Sequence, residues 1–267
     1  MDGRIIILGP VGVAEYMALS QTIQESVGDG YPTTVLLSPG WEQKGLSIGK
    51  AQNIGYVNLE ACNEDHIQVV RRPTEGYAVI HYTDDVAYSI AVSREYIRHL
   101  SKRGFDELIL PILVRSLERI GVPDGYDPFP ERYGNLFVNG KKISGSAQHT
   151  NRKAWLQHGT IAVRIHEPND YIRYLNVDGD VARIKSQMTS VEEEMGIPNP
   201  DNLVRVLDEE FRSLSQFGID LEQSSLSPEE LGYAEELVRT KYTNKEWLKS
   251  RKKDESGRTG CFIWKID

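Results

Sequence analysis

The chain has 267 residues, enough for one large hydrophobic core or for one core with a small appendage. Hydrophobic residues make up 39% and charged residues 26%, the balance of a globular chain, and no apolar run approaches the ~18 residues that would span a bilayer. The formal net charge of −8 argues against nucleic acid as the main partner and confines any anion site to a local basic pocket.

Met1-Asp2-Gly3-Arg4 and the short apolar run after it lack the charged-then-apolar layout of a signal peptide, which predicts a cytoplasmic protein. Arg4 to Leu8 reads as a buried strand. Tyr16, Leu19, Ile23 and Val27 then recur at helical steps, with Gly28 and Gly30 closing the helix. Thr33 to Ser38 reads as a strand and Pro39-Gly40 as a turn. Ile67 to Val70 and Ala78 to His81 read as strands flanking an Arg71–Tyr77 loop, and Val86 to Val92 as a third. Three strands so close together predict a partly antiparallel sheet. Ile109, Leu113, Leu117 and Ile120 line one helix face that ends at Gly121, which places Pro111 near the helix start.

Tyr126 to Tyr133 reads as a loop, and Leu136 to Val138 and Thr160 to Ile165 as strands around a lysine-bearing segment. Beyond about residue 167 the pattern turns helical. Asn199-Pro200 caps a helix with Leu203, Leu207, Phe211 and Leu214 on one face and Gly218 at its end. Ser227-Pro228-Glu229-Glu230 forms a capping box for a helix reaching about Lys241. Lys249 to Arg258 reads as a polar linker and Gly260 to Ile266 as a last strand. The pattern is α+β: a mixed, partly antiparallel sheet covered by helices. Cys62 and Cys261 make no framework, and Cys62 with His66 has ligand-like spacing but no second pair to complete a zinc site.

Three segments carry candidate chemistry. Asn139-Gly140-Lys141-Lys142-Ile143-Ser144-Gly145-Ser146-Ala147-Gln148, with Gln157-His158-Gly159 after it, reads as two lysines at the mouth of a tight small-residue turn. Exposed backbone N–H groups and a nearby ammonium suit a phosphate or a developing oxyanion. Upstream stand Arg71-Arg72-Pro73-Thr74-Glu75-Gly76-Tyr77-Ala78-Val79-Ile80-His81 and the Trp41 to Gln52 stretch. In this order and spacing, roughly from residue 14 to 248, the segments resemble the lipoate–protein ligase A family and its sister octanoyl- and lipoyl-transferases.

The resemblance implies a class II synthetase or biotin-ligase-like catalytic domain over 1–248, with 249–267 a polar linker and short tail. It implies activation of lipoate or octanoate with ATP and Mg2+ and transfer to a lysine of a lipoyl carrier protein, of the glycine-cleavage H-protein or 2-oxoacid dehydrogenase E2 type. Lys142 matches the family's essential lysine, with an electrostatic role. Arg71, Arg72, Gly76 and the Tyr77, Ala78, Val79, Ile80 strand start, with His81 and His158, match ATP- or acyl-binding positions. So do Ser47, Gly49 and Gln52 upstream and Gly145, Ser146 and Ala147 after the lysine. Both histidines read as hydrogen-bonding residues rather than proton shuttles, Lys141 as a solvated lysine, and Trp41 as core with tunnel wall the alternative.

The chain departs from the family at three points. One glycine of the family's pair or triplet survives, as Glu75-Gly76-Tyr77. Asn135 stands seven residues before Lys142, where ligases carry a metal-binding aspartate, leaving a neutral candidate ligand. The further domain of larger ligases is missing, which implies either a separate accessory polypeptide or a transferase that needs none. An ATP-dependent ligase is the main expectation. A transferase between carriers without ATP, or a non-catalytic acyl- or nucleotide-binding relative, is the alternative. Thiol-dependent transferases carry their cysteine in the loop before the lysine motif, and Gly125 to Gly134 contains none.

Overall fold

The computed structural model describes residues 2–97, 102–123, 134–176, 180–197 and 199–250, with backbone alone for 102–107. The strands are β1 (Asp2–Ile7), β2 (Thr33–Ser38), β3 (Gly45–Ile48), β4 (Gln68–Arg71), β5 (Val79–His81), β6 (Val86–Ser93), β7 (Asn135–Val138), β8 (Lys141–Thr150), β9 (Ala154–Ile161) and β10 (Asp220–Gln223). The helices are α1 (Val13–Gly28), α2 (Leu59–Glu64), α3 (Lys102–Arg119), α4 (Pro168–Tyr174), α5 (Val181–Ser186), α6 (Val191–Met195), α7 (Pro200–Phe211), α8 (Pro228–Leu237) and α9 (Lys245–Lys249).

Seven strands form one mixed sheet in the order β10-β1-β2-β6-β9-β8-β7, and β4-β3-β5 form a second. The fold is α+β. Alternation along the central strands divides the large sheet's two faces between two cores. Val35 and Leu37 of β2 and Val86, Tyr88, Ile90 and Val92 of β6 pack with Ile109, Leu113 and Leu117 of α3 and Leu203, Leu207 and Phe211 of α7. Leu36, Ala87 and Ala91 face the other way, onto Ile23 and Val27 of α1 and Ala234 and Leu237 of α8. The small sheet has its own core with α2, α4 and α5, centred on Leu46, Ile80, Tyr171 and Ile184.

The capping signals act as read. Asn199 and Ser227 accept from backbone N–H groups of α7 and α8, and Glu230 completes the capping box. Gly218 closes its segment with φ +76°. Glu230 also pairs with the buried Arg4 of β1, tying α8 to the sheet.

Four expectations are corrected. Val86 to Val92 belongs to the large sheet, and β4 and β5 do not pair with each other: β3 lies between them, parallel to β4 and antiparallel to β5. Gly45–Ile48 is fully buried, so it lacks the polar alternation that marks a half-exposed strand. Pro111 lies deep inside α3, whose polar first turns hide the helix start; the proline is on the exposed face, where water can replace its missing N–H. The strand expected at Thr160 to Ile165 runs instead from Ala154 to Ile161. Ser144 to Ala147 is no turn but the middle of β8; the chain reverses at Asn139 and Gly140, with φ of +50° and +76°. The Tyr126–Tyr133 loop, the Gly260–Ile266 strand and nearly all of the Lys249–Arg258 linker lie outside the described residues.

The Arg71 side chain is 1% exposed. Its guanidinium donates to the carbonyls of Gly49, Lys50, Gln52, Trp247 and Leu248. Trp247 Nε1 donates back to the Arg71 carbonyl at 2.8 Å. This guanidinium clasps α9 to the small sheet, so it serves the fold and not an anion. Arg71→Ala leaves several buried carbonyls unpaired and should cost at least about 3 kcal/mol, read as a lowered thermal unfolding midpoint.

Candidate active site

Between the small sheet and the β7–β8–β9 edge of the large one lies a cavity of about 360 Å³. Its wall takes in Lys142, Arg72, Gly76, Tyr77, Ala78, Val79, Ile80, His81, Ser47, Gly145, Ser146, Ala147, His158 and Asn135 from the candidate set. Arg71, Gly49 and Gln52 are not in that wall. Gly49 lies beneath the Gly76 loop: a Cβ there would meet the Gly76 carbonyl oxygen at 1.9 Å, so its bare backbone lets the loop close down. The Gln52 carbonyl serves Arg71, and its side-chain oxygen accepts from the Gly49 N–H at 3.3 Å. Sequence reading missed Tyr16, Met17, Phe137, His166, Tyr171, Gln187 and Met188, which also line the wall. These come from helices, strand β7 and loops, most of them far apart in the chain, with no local motif to mark them.

Lys142 stands at a bulge. Phe137 pairs with Lys142 and Leu136 with Ser144, so β8 has an extra residue there. The lysine's backbone is bonded on its other side to the chain around Met188, through Lys142 N to the Gln187 carbonyl and Thr189 N to the Lys142 carbonyl. Its side chain folds over Gly145: a Cβ at 145 would lie 2.8 Å from Nζ. Gly145 sits opposite Thr160 and Ala147 opposite His158, and residues opposed across an antiparallel pair share a face. The Lys142 ammonium therefore lies on the face that carries the His158 ring, above a floor of Gly145 and Ala147. The small residues supply that floor rather than a turn.

Arg72 is buried, and its guanidinium bonds the Glu75 carbonyl at 2.7 Å, Thr74 Oγ1 at 3.1 Å and the Ser47 carbonyl at 3.3 Å. Burial pulls it down to about 10, with Glu75 opposing, so it stays charged at neutral pH. Glu75 itself is exposed, and Gly76 takes φ +100°, which keeps that carboxylate out of the cavity wall.

Two hydroxyls link Arg72 to two imidazoles. Thr74 Oγ1 lies 2.7 Å from His158 Nε2, and Ser47 Oγ lies 2.9 Å from His81 Nε2. A guanidinium only donates, and each hydroxyl's own proton has no acceptor but the imidazole among the described residues, so it goes there. Both rings therefore accept at Nε2 and carry their proton on Nδ1, and neither Nδ1 has a partner among the described residues. Burial, reinforced by the Arg72 charge, drives His81 well below its ordinary value and His158 down to about 3. Both are neutral donors at neutral pH.

Asn135 offers a neutral amide, which brings no charge to the expected Mg2+ and makes a poor fit as its ligand. Cys62 is buried in the small-sheet core, outside the cavity wall, and burial pushes its thiol up to about 11. It is no nucleophile for this site.

Residues 13–212 match the model of the lipoyl protein ligase A/B catalytic domain. The chain belongs to that family. Among its relatives, an octanoyltransferase LipM from Kyrpidia tusciae is 30% identical, covering 91% of this chain and 97% of its own. The LipM octanoyltransferase of Bacillus subtilis is 28% identical over 91% of this chain and 96% of its own. Among solved structures, a lipoate-protein ligase A bound with ATP superposes with TM-score 0.80 at 21% identity, covering 93% of this chain and 99% of that one. A bipartite lipoate protein ligase from Thermoplasma acidophilum gives 0.81 at 22% identity, covering 95% and 99%. At such identities the ligase structures establish a shared fold. These relatives in sequence are named as octanoyltransferases, which overturns the expectation of an ATP-dependent ligase.

Two outcomes follow from this geometry. An unfolded histidine titrates near ~6.5 and binds protons that folded His158 and His81 refuse, so stability should fall as pH drops from there toward 3. His158→Gln should flatten that decline in unfolding midpoints measured between pH 7 and 4. Gly145→Ala should keep the fold but push the Lys142 ammonium off its floor, lowering turnover about tenfold or more in the acyl-transfer assay described next.

Proposed function

We propose that the chain is an acyltransferase that moves an octanoyl or lipoyl group from a carrier thioester to a lysine of a lipoyl domain, without ATP. The observation that carries this reading is its alignment, over 91% of its length, with octanoyltransferases. The cavity supports it. Met17, Trp41, Ile80, Phe137, Ile143 and Met188 offer apolar wall for a fatty chain, and Lys142 and His158 share one face at its polar part.

The reaction we propose is direct aminolysis. Neither the Gly125–Gly134 loop sequence nor the described cavity wall holds a cysteine to carry an acyl-enzyme. The thioester carbonyl lies between the Lys142 ammonium and the Nδ1–H of His158. Attack by the acceptor lysine forms the N–C bond and places negative charge on the carbonyl oxygen, which this cation and this neutral donor stabilise. Collapse breaks the C–S bond and releases the carrier thiol. Arg72, Thr74 and Ser47 hold both imidazoles in the donating tautomer.

The catalytic unit in this reading is residues 1–248. The acceptor is a lipoyl domain of the 2-oxoacid dehydrogenase E2 or glycine-cleavage H-protein kind. A thioester is already activated, so no accessory polypeptide is required. No helix among the described residues is long and apolar enough to cross a membrane.

The test incubates the protein with octanoyl- or lipoyl-loaded carrier and an apo lipoyl domain, with mass spectrometry reading the acylated lysine. Transfer should proceed without nucleotide, and Lys142→Ala should lower it roughly 100- to 1,000-fold. Transfer seen only with free acid and ATP, or none from either thioester, would sink the reading.

A further inference from the structure

Direct aminolysis poses a requirement that the residues described so far do not meet. A lysine side chain titrates near ~10.4, so the acceptor arrives as an ammonium and must lose a proton before or during attack. Lys142 is there to supply positive charge. His81 and His158 cannot take the proton, because their Nε2 lone pairs are occupied by Ser47 and Thr74 and their Nδ1 atoms already carry hydrogen.

A third imidazole in the cavity wall is built the other way round. His166 lies in the loop between β9 and α4, with Nε2 2.8 Å from Oδ1 of Asp85. Asp85 is 1% exposed, and its second oxygen accepts from the Tyr82 N–H at 3.2 Å. A carboxylate on Nε2 fixes the proton there and leaves the Nδ1 lone pair available, the arrangement in which an acid orients a histidine as a base. Nδ1 accepts from the Tyr171 hydroxyl at 3.3 Å, a longer contact than the 2.9 Å and 2.7 Å bonds that Ser47 and Thr74 make to the other two rings, and the one an incoming amine replaces; Tyr171 is itself in the cavity wall. The ring stacks on Tyr82 with centroids 4.1 Å apart, so its plane is fixed.

The loop is placed for the task. Ala162 donates to the carbonyl of Ile143, the residue after Lys142, so the segment leading to His166 runs beside the lysine's strand. Ile165 and Glu167, on either side, are exposed, so the loop borders solvent, while the His166 side chain itself is 10% exposed and faces the cavity wall.

We infer that His166, oriented by Asp85, is the general base that deprotonates the acceptor amine, an assignment that rests on the acyl-transfer reading above. The acceptor ammonium first releases one proton to solvent; as the N–C bond forms, a second amine N–H bond breaks and its proton passes to His166 Nδ1. On collapse the imidazolium gives that proton to the departing thiolate, so amide, free thiol and the one solvent proton are the products. Asp85 is a positioning residue. The groups facing His166 are Asp85 and Tyr82 from the β5–β6 turn, Tyr171 from α4 and His81 at the end of β5. Asp170 and Lys44 lie beyond them, bonded to each other, with Asp170 also bonded to the Tyr82 hydroxyl.

The test compares two acceptors across pH: the apo lipoyl domain, and hydroxylamine, which is unprotonated at neutral pH and needs no base. The proteins are wild type, His166→Gln, Asp85→Asn and Lys142→Ala, each with octanoyl carrier and with the uncatalysed reaction subtracted. His166→Gln should lose about 10²- to 10⁴-fold in kcat toward the lysine acceptor, and the acid limb of its pH–rate profile with it, while hydroxylamine still reacts. Asp85→Asn should fall in the same acceptor-dependent way, and Lys142→Ala should fall with both acceptors. Equal losses with both acceptors in His166→Gln, or undiminished lysine transfer, would overturn the assignment and leave the transferase reading intact. A wild-type protein inert toward both acceptors would overturn the two together.

Discussion

The Lys142 ammonium can stand over the floor of the cavity because residue 145 has no side chain. A Cβ there would come within 2.8 Å of the nitrogen, and the bulge at Phe137 sets the lysine in a strand held from both edges. The rest of the site follows from this placement. The cross-strand register puts His158 on the same face, and the apolar wall runs from there between the two sheets. A strand interior gives such a cation a fixed position, which a flexible turn would not; fixed dipoles and charges are what stabilise a developing oxyanion without reorganising.

Adjacent arginines serve opposite sides of one strand end. Arg71 gathers carbonyls from the β3–α2 connection and α9, and so assembles the wall's outer support. Arg72 reaches two hydroxyls and through them sets the proton positions on two imidazoles. Neither needs an anionic ligand to explain its burial, because each is solvated by backbone and side-chain oxygens. Of the arginine pair, matched by position to ATP or acyl binding, Arg71 braces the fold and Arg72 pre-orients neutral donors.

The chemistry changes character accordingly. In the proposed reaction the substrate arrives already activated, and the neutral amide at 135 has no metal charge to supply. Three histidines share its wall with different tasks set by their partners: hydroxyls turn His81 and His158 into donors, and a carboxylate turns His166 into an acceptor. Residue type alone does not distinguish these roles.

Local signals were legible wherever local physics sufficed. The caps at Asn199 and Ser227, the αL glycine at 218 and the periodic apolar faces of α1 and α7 all depend on neighbours within a turn or two. The lysine segment and its companions could be found because their spacing is a family trait. What the sequence could not place were features made by distant partners. β3 is buried on all sides and carries no alternation, and the small-residue run became strand because β7 and β9 pair with it. Arg71 turned from the cavity because α9, about 175 residues on, supplied its acceptors. The Asp85–His166 contact joins a turn and a loop 81 residues apart, and only packing of the two sheets brings them together. Propensity and capping act through near neighbours along the chain and are written in it; the direction of a charge, the tautomer of a ring and the floor beneath a lysine are set by whatever the fold brings alongside.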